Sequence, residues 1–214
     1  MIKFSLFLSK LLNNRKILKK LNSNIYKEIK YPGNRVMIVD DNLDFSLMNN
    51  LLDLANINYL SFKLNNNEEL DNFILKNTDN YGIINKNYLF FQVKPKNIKK
   101  YGSILKPNFI LINENNDIID ELEVKEIFDN ATIIEYDKYN FNGIKFSINN
   151  KSNYFISNID YIKEKITINE SFDININSTK EEYLKEIMMF FAFFILNKID
   201  INIFNKLNKK NFTY

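Results

Sequence analysis

The chain has 214 residues, of which 45% are hydrophobic and 14% aromatic, enough apolar material for a buried core and too much for a disordered polymer. Its net charge of +3 is spread along the sequence, apart from the doublets Lys19-Lys20, Lys99-Lys100 and Lys209-Lys210, and this argues against a nucleic-acid-binding face. It has no Cys and no His, which excludes disulfides, thiolate nucleophiles, Ser–His catalysis and most zinc chemistry and leaves carboxylates, Lys, Tyr and hydroxyls.

The N-terminal segment MIKFSLFLSKLLNNRKILKKL is basic and amphipathic and predicts a helix over Ser5–Leu21, within an N-terminal unit of residues 1–30. Its apolar run is broken by Lys10 and no small-residue cleavage site follows, so the expectation is a packing helix and not a secretory signal. Peripheral membrane contact is the other use such a helix can have. Tyr31-Pro32-Gly33-Asn34 predicts a turn and Arg35–Val39 a strand. A helix follows, with Leu47, Leu51, Leu52 and Leu54 inward. Tyr59–Leu64 predicts a strand, and Asn67–Lys76 a helix with Asn67 as its N-cap.

Tyr81–Asn85 and Tyr88–Val93 carry strand signals. Pro95 opens a helix to Tyr101, and Phe109–Asn113 (FILIN) reads as a buried strand. Asp117–Phe128 predicts a helix and Ala131–Tyr136 a strand. This alternation of strand and helix predicts a mostly parallel sheet with crossover helices. After Tyr136 the pattern changes. Ile144–Ile148, Asn153–Ile159, Lys165–Asn169 and Phe172–Ile176 are short alternating segments of antiparallel type. Thr179–Leu196 predicts a strongly apolar helix capped by Ser178 or Thr179, and Ile201–Leu207 a short final one. The run IMMFFAFFIL (187–196) is too short to span a bilayer. The expected protein is therefore cytoplasmic, with an α/β fold: a three-layer sandwich around a mostly parallel, P-loop-like sheet, with an antiparallel extension and terminal helices. Residues 31–214 form one domain in this reading.

The segment RVMIVDDNLDFSLMNNLLDLA (35–55) is a strand, an acidic turn and a helix. A helix N-terminus at that place offers free N–H groups to an anion. This turn has no glycine and no lysine, and carries Asp40, Asp41 and Asp44, which would repel phosphate.

Three segments in order resemble the Mur ligases, and among them the ligase subunit of lipid II isoglutaminyl synthase. The first is ILKKLNSNIYKEIKYPGNRVMIVDDN. The second is YLFFQVKPKNIKKYGSILKPNFILINENNDIIDEL with NATIIEY. The third is YLKEIMMFFAFFILNKIDINIFNKL, and FNGIKFSINNKSNYFISNID matches a hairpin region between the last two. The match covers residues 15–208 and corresponds to the family's central domain alone, with no counterpart of its C-terminal ligase domain. The resemblance implies ATP and Mg²⁺ as cofactors, and a nucleotide site at Asp40, Asp41, Asn42, Asp44 and Asn113.

The departures from the pattern are chemical. The family's phosphate loop is G-T-N-G-K-[ST]. With Asn42 laid on its Asn, Asp40 and Leu43 replace the glycines, Asp44 the lysine and Phe45 the hydroxyl residue. Gln92 falls where the family has a magnesium-binding glutamate, and Lys94 and Pro95 fall on two further acidic positions. Residues Tyr183 to Ile187 replace nucleotide-contacting Asn positions, while Asn113 and Asp117 are the best-preserved polar sites. The resemblance thus implies a non-catalytic protein that does not bind ATP–Mg²⁺ in the family's manner. It would act by contact with another protein, such as a cell-wall (peptidoglycan) Mur ligase or a glutamine amidotransferase, as scaffold or regulator. The first helix and the Phe-rich helix are the candidate docking faces, although Phe190, Phe191, Phe193 and Phe194 surround their helix and read first as core, buried on both faces and in part by a partner.

Three alternatives stay open. One is a divergent ATP-dependent ligase subunit completed by a partner. Another is a degenerate receiver module, with Asn85 at the phosphoacceptor position and Lys138 after a later strand. The third is an enzyme that uses Asp40, Asp41 and Asp44 as metal ligands.

Overall fold

The computed structural model describes residues 29–40, 45–79, 82–112, 129–136, 145–148, 152–163, 165–176 and 180–207, together with Tyr26, Ile127 and Ser178. In chain order the elements are β1 (Asn34–Val39), α1 (Phe45–Leu54), β2 (Tyr59–Leu64), α2 (Asn67–Asn77) and β3 (Tyr88–Val93), then a 3-10 turn (Pro95–Asn97) running into α3 (Ile98–Leu105). β4 (Phe109–Ile112), β5 (Thr132–Tyr136), β6 (Lys145–Ile148), β7 (Ser152–Asp160), β8 (Lys165–Ile168) and β9 (Phe172–Asn175) follow. α4 (Glu181–Leu196) and a final 3-10 helix (Ile201–Lys206) complete the described chain.

The strands are ordered β2-β3-β1-β4-β5-β6-β7-β8-β9. The first five are parallel and β5 to β9 pair antiparallel. The register shifts between Ile156 and Asn158, where β7 turns from its pairing with β6 to its pairing with β8.

Strand alternation builds three layers. Val36, Ile38, Phe90 and Leu111 point to one face, against α1, α4 and the final 3-10 helix. Met37, Val39, Phe91, Ile110 and Ile112 point to the other, against α2 and α3. Because both faces are covered, the central strands read as unbroken apolar runs and not as alternation. Beyond Glu186, α4 is apolar on all sides because it is enclosed on all sides. Phe190, Phe191, Phe193 and Phe194 are wholly buried. They pack within the chain, so this helix is core, as its all-round aromatic pattern implies, and the candidate docking face is not found there.

Other expectations shift locally. Tyr81–Asn85 is not a strand among its described residues, and only Ile83 forms a bridge, to Lys30. Gly82 takes φ +74° and its amide donates to the Asp79 carbonyl, while Asp79 Oδ1 accepts from the Ile83 amide. This local turn uses the groups a ladder would need. The N-cap of α2 is Asn66, not Asn67. Asn66 is extended, and its side chain accepts from the Glu69 amide while Glu69 reaches back, forming a capping box. α4 starts from Lys180 without a side-chain cap, and Ser178 Oγ accepts from the Lys180 amide instead. The predicted helices at residues 5–21 and, apart from Ile127, at 117–128 lie outside the described residues.

The outer edge of β9 is closed by a side chain. Asn205, from the final 3-10 helix, accepts from the Asn175 amide (3.1 Å) and donates to the Asp173 carbonyl (3.4 Å), as a neighbouring strand would.

Candidate functional site

In an open α/β sheet, ligands bind beyond the carboxyl ends of the strands, where neighbouring strands send the chain in opposite directions. Here that place lies between β1 and β3. The chain leaving β1 passes through α1 on one face and runs to the edge strand β2. The chain leaving β3 passes through α3 on the other face and runs to β4. A crevice of about 430 Å³ opens there, lined by Asp40, Lys63, Asn65, Gln92, Lys94, Lys96 and Asn97. Its volume falls in the ordinary range of small-molecule sites.

The sheet register assembles this set. Lys63 of β2 pairs with Gln92 of β3, which pairs with Ile38 of β1, so the first two side chains share a face at the carboxyl end. Asp40 directly follows β1, and its amide continues the ladder by donating to the Val93 carbonyl (3.2 Å). Gln92 Nε2 donates to the Asp40 carbonyl (2.9 Å), and both residues are 5% exposed. Gln92 Oε1 is buried with no hydrogen-bond partner in the structure. Lys63 lies over the ring of Phe45, the first residue of α1, at 5.9 Å, which sets the crevice beside the start of that helix. Pro95, at the start of its 3-10 turn, directs the chain so that Lys94, Lys96 and Asn97 all reach the crevice. Asn97 Nδ2 donates to the Asn65 carbonyl (3.5 Å) and ties the two rims together.

Of the five residues expected from the sequence to mark a nucleotide site, the structure places Asp40 in this crevice. Asp41, Asn42, Asp44 and Asn113 lie outside the described residues. Gln92 and Lys94, singled out as departures from a family pattern, also line the crevice. Lys63, Lys96, Asn65 and Asn97 were not foreseen. A lysine next to last in an edge strand is unremarkable until the insertion of β3 beside β2 is known. The charge is likewise different from that of the turn read alone, since among the described residues three lysines and one aspartate line the crevice.

The receiver alternative requires its groups at one end of the sheet. Asn85 is exposed and precedes β3, at the end opposite Asp40, and Lys138 lies outside the described residues. The strand order also differs from the flavodoxin-like 2-1-3-4-5 order of receivers. No group of three or more carboxylates able to hold a metal ion occurs among the described residues.

A second cleft, of about 660 Å³, lies at the amino end of β1 and β4 and includes Arg35, Lys99, Lys106 and Asn108. Its central cation is committed to the fold. Arg35 Nε donates to the Lys106 carbonyl and Nη1 to the Pro32 carbonyl (both 2.8 Å), while Asn108 Oδ1 accepts from the Arg35 amide (3.0 Å). Burial lowers the guanidinium pKa from its ordinary value. Among the described residues, no helix is long and apolar enough to cross a membrane.

Comparison with protein-family models finds no match, and no curated protein matches the chain.

Proposed function

We propose that this chain is a non-catalytic, Mur-ligase-like protein that acts by contact with another protein. The partner class implied by the resemblance is a cell-wall ligase or glutamine amidotransferase. The observation that carries this reading is the pair Gln92 and Asp40. At the strand ends where a nucleotide-binding α/β protein gathers carboxylates around a divalent cation, β3 presents a neutral carboxamide. The Nε2 of that carboxamide is held by the Asp40 carbonyl. Mg²⁺ favours anionic oxygens in octahedral array. The crevice has one described carboxylate, set among three ammonium groups that would repel the cation. The alternative of a ligase completed by a partner would require that partner to bring both the metal ligands and the metal.

The test is a thermal-shift titration of the whole chain with ATP, in the presence and absence of Mg²⁺. A ligand at about 100 times its Kd adds roughly 2.7 kcal/mol of stability, a shift of several degrees for a chain of this size. The expected outcome is no Mg²⁺-dependent rise in Tm. A rise that appears only with both ATP and Mg²⁺ would overturn the reading.

A further inference from the structure

We propose that the crevice between β1 and β3 binds a small phosphorylated molecule without a metal ion, and that this ligand also carries a hydroxyl or amino donor. The inference rests on the reading that the crevice is not an ATP–Mg²⁺ site, and it gives the crevice a different ligand chemistry. Three observations converge on it. Lys63, Lys94 and Lys96 come from two separate segments, the end of β2 and the turn after β3, and line one concave space. Ammonium groups on flexible stems act as point charges toward phosphate and need no bidentate geometry. The cations therefore enter from β2 and β3, and the acidic turn after β1 is not asked to supply one.

The second observation is Gln92 Oε1. It belongs to a side chain more than nine-tenths buried, lines the crevice and has no hydrogen-bond partner. Its own Nε2 is held by the Asp40 carbonyl, so the amide cannot turn over to offer a donor without losing that bond. A buried acceptor fixed in this way matches a donor on the ligand, which a fully ionised phosphate group lacks and which a further hydroxyl or amino group on the ligand supplies. The third observation is shape. The crevice is concave and its two rims are tied through Asn97 and Asn65, which suits a compact ligand and not an extended polyanion such as nucleic acid.

The probes are ribose 5-phosphate and methyl phosphate, titrated calorimetrically into the whole chain in buffer containing EDTA at about pH 8, where a phosphate monoester is a dianion with no donor of its own. The expected result is saturable binding of ribose 5-phosphate that weakens as salt is raised. The double variant K63M/K94M should lower affinity by roughly tenfold or more, because it removes charge-assisted bonds. The variant K99M/K106M, in the second cleft, should leave it unchanged. Q92L should weaken ribose 5-phosphate more than methyl phosphate. Absence of saturable binding, or an equal loss in both lysine double variants, would overturn the proposal and leave the non-catalytic reading standing. Binding of ATP that appears only when Mg²⁺ replaces EDTA would overturn both.

Discussion

Tyr26 and Tyr31 pack against the same core cluster on the α2–α3 face of the sheet, yet their hydroxyls have opposite fates. Tyr26 Oη donates to the carboxylate of Asp71, a side chain only 3% exposed. Tyr31 Oη is buried without a hydrogen-bond partner in the structure. A buried donor left unmade costs more than a made one contributes. Tyr31→Phe should therefore be neutral or stabilise by up to about 1 kcal/mol, and Tyr26→Phe should cost about 1–3 kcal/mol by depriving a buried carboxylate of a donor. Equilibrium urea unfolding near pH 7 measures both. The same variants separate at high pH. Burial first, then the bond to Asp71, raises the Tyr26 pKa, and burial first, then Tyr26, raises that of Tyr31. The unfolded phenols release their protons near pH 10, where the folded ones retain theirs, so the native state binds more protons and stability falls as pH rises beyond about 10. The stability is fully present below that value and is lost as pH rises through the folded pKa. Tyr31→Phe removes one of these groups, so its urea midpoint should fall less than that of the parent chain between about pH 9.5 and pH 11.

At the scale of the element, the start of α2 gives the clearest contrast. Asn66 and Asn67 are chemically identical candidates for an N-cap. The backbone decides between them, since Asn66 is extended and closes the box with Glu69, whereas Asn67 Oδ1 accepts from Tyr101 Oη at 3.4 Å. Asn66→Ala should cost about 1 kcal/mol and Asn67→Ala about half that or less, measured as the shift in urea midpoint at constant m-value. A larger loss at Asn67 would reassign the cap. This one-residue displacement shows what the sequence carries and what it does not. β1, β3 and β4 were legible because strands covered on both faces must be continuously apolar, as VMIV and LFF are. The antiparallel strands were legible by the opposite sign, since in β8 Ile166 and Ile168 are buried while Lys165 and Thr167 are less so. The segment around Ile83 and Ile84 failed because two adjacent isoleucines resemble a strand whether or not a partner exists. Gly82 and Asp79 made a turn there instead. The edge cover by Asn205 could not be read at all, because it joins residues about thirty positions apart through a single carboxamide.

At the scale of the molecule, the crevice and the core both depend on sheet order, which local pattern does not encode. Lys63 meets Gln92 only because β3 inserts between β2 and β1. The Phe-rich helix meets the sheet only because the antiparallel extension returns the chain over the α1 face, and this decides a question about function. Phe193 stands edge-on to Phe109 (5.5 Å), Phe90 (5.7 Å) and Tyr88 (6.2 Å), rings from two strands, so it joins α4 to the parallel sheet. Phe191 contacts Tyr154, Phe172 and Phe204 and joins the same helix to the antiparallel strands and the final 3-10 helix. One helix thus serves both halves of the sheet, and its loss should not be confined to one of them. Phe193→Ala should cost about 3–5 kcal/mol through lost burial and the cavity left behind, a large share of the roughly 5–15 kcal/mol that such a chain has in total. Far-UV circular dichroism and near-UV tyrosine signals should lose structure in a single transition, at a lower urea midpoint than in the parent chain. If α4 were a surface kept for a partner, Phe193→Ala would weaken association and leave the unfolding midpoint within about 0.5 kcal/mol of the parent, the range of ordinary surface changes. Rings enclosed on both sides by the chain's own strands require the first result, and any partner of this protein must then dock elsewhere.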